Sequence, residues 1–292
     1  MEGRIRKGIG GFYYVETEDG EIYSCRARGL FRKDGVKPLV GDRVRMQLID
    51  EEAKEGSVLE VLPRSNSMIR PEAANVDQAM LVFALASPDP NPVIIDRFLL
   101  ELQNRDIPCI LVFNKKDLAG DEKAEEFLAA YRAAGAEAVA LSAKAEGAAD
   151  TLRSLIRGRV TWLAGPSGVG KSTIVNLLCP GAFAETGGIS KKLGRGKNTT
   201  RHSELFPVEG GGYICDTPGF TSFDALSLDA EELKDHYPEF LPFTDACRFR
   251  NCRHLDEPGC AVREAAESGE IPLLRYRNYC NIYTEQKERK RY

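Results

Sequence analysis

Residues 165–172 read GPSGVGKS: a glycine, four residues, Gly-Lys and a serine. The stretch follows the strand-like VTWLAG and runs into the helix-like STIVNLLC, which is the strand–loop–helix setting a phosphate-binding loop requires. The run Gly165, Pro166, Ser167, Gly168, Val169, Gly170 can curl so that its N–H groups face phosphate oxygens, its glycines supplying the unusual backbone angles. Helix onset at Lys171, Ser172 and Thr173 adds a partial positive charge. Lys171 is placed to reach the β- and γ-phosphates, and the Ser172 hydroxyl to ligate Mg. The bland alternative is a glycine-rich turn ahead of a structural helix, and the preceding apolar strand weighs against it.

A phosphate loop does not choose between adenine and guanine. NKKD, residues 114–117, directly after the strand CILVF, does. The Asp117 carboxylate can accept from the guanine ring N–H and exocyclic amine together, whereas adenine has no such donor pair and would leave the carboxylate unpaired. Asn114 would tie the base to its loop and the aliphatic stem of Lys115, beside Lys116, would cover its face. ALSAK, residues 140–144, then supplies a second guanine loop in Ser142, Ala143 and Lys144. Alone, NKKD is a polar turn; with ALSAK behind it, the pair specifies guanine.

Past the phosphate loop comes GKNTTRH, residues 196–202, and then DTPGF, residues 216–220, behind the strand YIC. Asp216 would hold Mg through water, and the Gly219 amide would meet the γ-phosphate. Thr200, or less favourably Thr199, would ligate Mg only while the γ-phosphate is present, which makes the segment a switch. The expected catalytic set is therefore Lys171, Ser172, Thr200 and Gly219, with Ser172, Thr200 and Asp216 on Mg. The motif order is guanine loop, second guanine loop, phosphate loop, switch one, switch two. An ordinary GTPase begins with the phosphate loop, so this chain is a circular permutation, one that runs from switch two straight into its C-terminal domain. We expect that domain to respond to nucleotide state.

Working outward, residues 1–71 hold short alternating strands with glycines at the corners, including two around an Asp19-Gly20 turn read as a two-residue hairpin loop. They predict a small β-barrel of oligonucleotide-binding (OB) type. Residues 72–232 alternate apolar strands with amphipathic helices such as PVIIDRFLLELQNR and DEKAEEFLAAYRAAG, an α/β GTPase domain with a mainly parallel sheet. Residues 233–292 read as short helical pieces and a charged tail, EQKERKRY. There Cys247, Cys252, His254 and Cys260, spaced C-x4-C-x-H-x5-C, suit one closed tetrahedral zinc site that substitutes for a core in a small helical domain. Cys25, Cys109, Cys179 and Cys215 lie singly in or beside apolar stretches and read as buried thiols, while Cys280 is a substitute candidate for the zinc whose distance in the chain favours a buried thiol.

The formal charge of −4 argues against indiscriminate coating of nucleic acid, and the chain has no apolar run of membrane-spanning length. MEGRIRKGIGG lacks the apolar stretch of a signal peptide, so a cytoplasmic protein is expected. Basic clusters at Arg26, Arg28, Arg32 and Lys33, at Lys191, Lys192, Arg195, Lys197 and Arg201, and at Arg248, Arg250 and Arg253 are candidate RNA contacts, each equally readable as a solvated face.

The whole pattern resembles the RsgA (YjeQ/YloQ) family of circularly permuted GTPases. GFYYV, CRARGLFRK, PLVGDRV, NVDQ, NKKD, GPSGVGKS, TTRH, DTPGF and the Cys/His cluster carry the resemblance over essentially the full length. It implies an OB barrel, a permuted GTPase domain and a zinc domain. It further implies that GTP is bound and hydrolysed to GDP with Mg, that one structural zinc is held, and that the partners are the 30S subunit and its 16S rRNA, met late in maturation by a monomer. The family commonly places a His before the Thr-Thr pair; this chain has Asn198, so that role is not carried over, and His202 is a weak stand-in. Phe220 stands where many GTPases carry the Gln that orients water, which predicts slow hydrolysis without a partner. Two rival functions compete with this reading: a phosphate-loop kinase, which leaves NKKD and SAK unexplained, and a nucleotide-sensing module with little turnover.

Overall fold

Alternation along the first strands places Ile5, Val15, Tyr23, Cys25, Val44, Met46 and Val58 inward and almost fully buried, so these segments can only close around a shared interior. The computed structural model describes residues 1–27, 37–68, 72–182, 203–216 and 226–289. Strands β1 (Glu2–Ile9), β2 (Phe12–Thr17), β3 (Ile22–Ala27), β4 (Arg43–Asp50) and β5 (Glu55–Val61) pair in the ring β1-β2-β3-β5-β4 and back to β1. That is the expected five-stranded OB-type barrel. The β2–β3 hairpin differs from expectation: Thr17 N still donates to Glu21 O at 2.9 Å, leaving a three-residue loop with Gly20 at φ 83. The third residue is accommodated because glycine takes the left-handed position.

A short pair, β6 (Ser67–Met68) and β7 (Ala73–Ala74), leads to β8 (Gln78–Ala84), α1 (Pro92–Gln103), β9 (Cys109–Asn114), α2 (Lys116–Ala119), α3 (Asp121–Ala133) and β10 (Glu137–Ala140). Then come α4 (Ala148–Ile156), β11 (Val160–Ala164), α5 (Lys171–Leu178), β12 (Glu204–Pro207) and β13 (Tyr213–Asp216). Two 3-10 turns, α6 (Leu241–Thr244), α7 (Ala261–Ser268) and α8 (Leu273–Arg289) complete the described chain. It forms two compact units, one of Met1–Gln78, Glu146–Ala164 and Lys171–Phe220, the other of Ala79–Ala145, Gly165–Gly170 and Thr221–Tyr292.

In the first unit β11 runs parallel to β13, and β12 antiparallel to it. The β12–β13 hairpin was not legible in SELFPVEGGGYICD, which is broken by Pro207 and three glycines. It also carries the barrel: Lys7 pairs with Glu204 at 2.8 Å, and Arg6 Nε donates to Leu205 O at 3.1 Å. NVDQ ties the joint. Asp77 Oδ2 accepts from Val160 N at 2.7 Å, and Gln78 Nε2 donates to Leu155 O and Thr161 Oγ1, both at 3.0 Å.

In the second unit β8, β9 and β10 form a parallel sheet, whose β8 is buried on both faces. The C-terminal piece packs Tyr237, Phe240, Tyr276, Tyr279 and Ile282 with Leu100 of α1. EQKERKRY is not simply a charged tail. Helix α8 runs on through Arg289, with Glu285 paired to Arg97 and Gln286 Nε2 donating to Leu228 O at 2.6 Å. Buried Arg275 of α8 sits 2.5 Å from Asp96 of α1 and donates to Glu239 at 2.7 Å, with its guanidinium over the Tyr237 ring. Removing one partner of such a buried set leaves uncompensated charge, so Arg275→Met should cost about 3–5 kcal/mol in urea unfolding. An Asp96→Asn change in the Arg275→Met background should recover part of that loss; unchanged stability in Arg275→Met would exclude the lock. Among the described residues no helix is long and apolar enough to cross a membrane.

Candidate nucleotide site and metal centre

Strand β9 ends on Asn114, only 3% exposed, and both ends of its side-chain amide are hydrogen-bonded. Nδ2 donates to Val169 O in the phosphate loop, and Oδ1 accepts from Ala143 N in the second guanine loop, both at 2.9 Å. Asn114 is thus a staple between the two loops. Lys115, at φ 60, lays its ammonium on the phosphate loop, donating to Gly168 O at 2.8 Å and to Ser87 O. Lys116 turns away to Asp121 at 2.9 Å. Asp117, in the first turn of α2, is exposed and makes no ion pair among the described residues, which leaves its carboxylate open to a ligand. Ser142 Oγ accepts from Lys144 N, closing the second loop on itself.

The phosphate loop can approach its neighbours this closely only as glycine. Gly165 is at φ 140, and a Cβ there would stand 2.1 Å from Val82 O. Gly170 is at φ 103, with a Cβ position 2.3 Å from the Asn114 amide nitrogen. Gly170→Ala should therefore expel Asn114 from Val169 and strain the backbone by about 1–3 kcal/mol. We expect nucleotide affinity to fall at least roughly tenfold, measured with a fluorescent GDP analogue, and wild-type affinity would refute the staple. Pro166 and Val169 are partly or fully buried, while Ser167 is exposed.

In the first unit Lys171 opens α5 half-buried, with Ser172 and Thr173 exposed beside it. Burial lowers the Lys171 pKa from its ordinary value and Asp216 opposes the shift, so the ammonium is partly desolvated and electrostatically potent. Asp216 ends β13, in register with Leu163 of β11. The parallel pairing therefore brings this carboxylate to the strand end where the phosphate loop begins.

In the C-terminal piece Cys247, Cys252, His254 and Cys260 bring one ligand atom each to within 4.8 Å of one another. The sulfurs of Cys247 and Cys260 are each 3.6 Å from His254 Nδ1. Sulfur and nitrogen on a tetrahedral zinc would be separated by about 3.6 Å, given bonds of about 2.3 and 2.0–2.1 Å. The donor set and its spacing fit zinc. Tyr276 OH donates to His254 O at 3.0 Å, and Cys260 caps α7 by accepting from Arg263 N. Burial tends to raise the Glu257 pKa, but hydrogen bonds from the Arg253 side chain and from Leu255 N and Arg253 N outweigh it and bring it down to about 2, bracing the loop around His254. Cys280 and His236 lie outside the cluster, both half-buried. Of the isolated thiols Cys25, Cys179 and Cys215 are buried, whereas Cys109 at the start of β9 is only half-buried.

The family model described as RsgA GTPase matches residues 61–226, and the RsgA N-terminal domain model matches residues 2–58. The chain belongs to the RsgA GTPase family. Two relatives, each named small ribosomal subunit biogenesis GTPase RsgA, come from Geobacillus kaustophilus (47% identical, covering 99% of this chain and 98% of the relative) and Agathobacter rectalis (45%, covering 100% of both). Among solved structures, YjeQ from Thermotoga maritima aligns with a TM-score of 0.79 at 35% identity over 98% of both chains. The circularly permuted GTPase YloQ aligns at 0.76 and 38% identity, over 99% of this chain and 95% of that one.

As an RsgA-family GTPase the chain hydrolyses GTP, and the family implies guanine nucleotide and Mg. The open Asp117 carboxylate and the glycine-dependent phosphate loop fit that nucleotide. Thr199, Thr200, Gly219, Asn198, His202 and Phe220 lie outside the described residues, as do Arg28, Arg32, Lys33 and the basic residues from Lys191 to Arg201. Arg26 stacks over Phe12 with 4.6 Å to the ring centroid, Arg248 stacks over Phe249, and Arg253 pairs with Glu257 at 2.9 Å. Sequence reasoning did not foresee the work of NVDQ or of Asn114 as a staple. Both act through backbone groups far away in the chain, which side-chain identity alone does not reveal.

Proposed function

We propose that this GTPase acts in late maturation of the small ribosomal subunit, binding the 30S particle and its 16S rRNA as a cytoplasmic monomer. The reading is supported by the relatives' names and by an OB-type barrel beside a permuted GTPase domain. Its site rests on one observation above all: Asn114 joins the phosphate loop to the second guanine loop while Asp117 stays open to a base. GTP is held by Asn114, Lys115, Lys116 and Asp117, by Ser142, Ala143 and Lys144, and by Gly165 through Thr173. Thr199, Thr200, Asp216 and Gly219 meet the γ-phosphate and Mg, with Ser172, Thr200 and Asp216 as metal ligands, directly or through water. Cys247, Cys252, His254 and Cys260 hold a structural zinc within a C-terminal domain of residues 233–292, following domains of 1–71 and 72–232.

Loss of the γ-phosphate releases the switch threonine, so subunit affinity should follow the nucleotide. In sedimentation with purified 30S subunits, protein loaded with a non-hydrolysable GTP analogue should pellet with the subunit and GDP-loaded protein should stay largely in the supernatant. Absence from the pellet in both states would remove the ribosomal assignment and leave the nucleotide site intact.

A further inference from the structure

Barrel strands β1 and β4 place Arg4 and Arg43 directly opposite each other. Their neighbours Ile5 and Val44 point into the barrel, so strand alternation turns both guanidiniums to its outer face. Like charges facing across an antiparallel pair repel. The acids near Arg4 are already engaged. Glu16 takes the Arg6 guanidinium and the Tyr213 hydroxyl, and Asp77 accepts from Val160 N. Among the described residues neither Arg4 nor Arg43 makes an ion pair. Burial, with Arg43 adding to it, lowers the Arg4 pKa from its ordinary value.

These two side chains line a cleft of about 500 Å³, walled further by Tyr213, Asp77, Pro63 and Gly158. Arg4 lies over the Tyr213 ring, 5.3 Å from its centroid, which holds its fork in place. Gly158 leaves open space where a side chain would stand. The cleft meets β11 and β13 at Val160 and Tyr213, their first residues, the opposite ends from Ala164 and Asp216. It is therefore separate from the GTP-binding loops.

Paired guanidiniums match phosphate oxygens. A carboxylate in the same cleft disfavours a bare polyanion but can accept from a hydroxyl. We propose that this cleft binds a ribonucleotide unit, with its phosphate on Arg4 and Arg43 and a sugar hydroxyl on Asp77. The unit is either a free nucleotide or part of an RNA strand, and the two arms of one experiment separate these sources.

Full-length protein, saturated with GDP and Mg so that the GTP site is filled, is titrated calorimetrically with adenosine monophosphate and, separately, with a uridine hexanucleotide. At least one should bind saturably with one-to-one stoichiometry, and Arg43→Gln should weaken that binding at least roughly tenfold. Binding of adenosine monophosphate identifies a free nucleotide; binding of the hexanucleotide alone identifies a strand. Because Arg43→Gln also removes the cross-strand repulsion, its Tm should rise by roughly 1–4 °C, a gain that a purely structural arginine would not give. Arg4→Gln should show the same loss of binding. The proposal is overturned if neither probe binds, or if Arg43→Gln binds as tightly as wild type.

Discussion

Cys252→Ser should abolish zinc binding and unfold the C-terminal piece. Its ligands are drawn from one short loop, and the aromatic cluster beside them packs directly on a ligand: Phe240 lies between Tyr237 and Tyr279, with its ring 6.0 Å from that of His254. Apparent zinc free energies in such sites are about 10–16 kcal/mol, comparable to or larger than the whole stability of a typical domain. Atomic absorption on wild type should give one zinc per chain, and the variant none. Near-ultraviolet dichroism should lose the signal of the packed tyrosines, and trypsin should cut faster after Arg248, Arg250 or Arg253, which are exposed but fixed in a folded loop. The same changes should follow chelation of wild type and reverse when zinc is restored. Full zinc content in Cys252→Ser, or wild-type protein that stays folded without metal, would contradict the assignment.

Asp117→Asn should lower GTP affinity at least about 100-fold, or roughly 3 kcal/mol. The carboxylate offers two acceptors to the two donors on the guanine edge. The amide turns one of them into a donor facing the exocyclic amine, so a hydrogen bond to a charged group is lost and a donor–donor contact replaces it. Xanthosine triphosphate carries a carbonyl in place of that amine and should bind the variant better than GTP does. Affinity for ATP should not improve, since adenine offers neither pattern. Asp117 is exposed on a short helix, so the fold should survive, and circular dichroism will show it. GTP affinity within threefold of wild type would mean that this loop does not read the base.

Much of the site was legible because its chemistry restricts residue types. A backbone that must reach φ 140 against the Val82 main chain and φ 103 against the Asn114 side chain admits glycine at residues 165 and 170 and little else, so the phosphate loop shows in the sequence as a pattern. Zinc likewise demands sulfur and imidazole at short spacing. The barrel showed through strict alternation, as in Arg43–Asp50, where Val44 and Met46 face inward. What stayed hidden depends on pairings between distant segments. The stapling role of Asn114 did not show because its partners Val169 and Ala143 offer backbone atoms, indistinguishable in sequence from any others. Strand β12 was missed because only four residues form it, and Lys7 and Arg6 supply part of its support from the start of the chain. Arg275, in LLRYRNYC, gave no hint of burial against Asp96 and Glu239, since a buried ion pair shows only when both partners are placed.

A guanine-specific GTPase whose turnover waits on the small ribosomal subunit should show both properties in one assay. Steady-state phosphate release from GTP, with and without purified 30S subunits and with ATP in parallel, tests that most directly. Alone, the protein should turn over below about 0.01 per second, as expected where Phe220 replaces the Gln that orients the attacking water in many GTPases. Equimolar 30S should raise the GTP rate at least about tenfold and leave ATP untouched, an acceleration worth about 1.4 kcal/mol of barrier. A basal rate already as fast as the rate with subunits, or equal use of ATP, would contradict it.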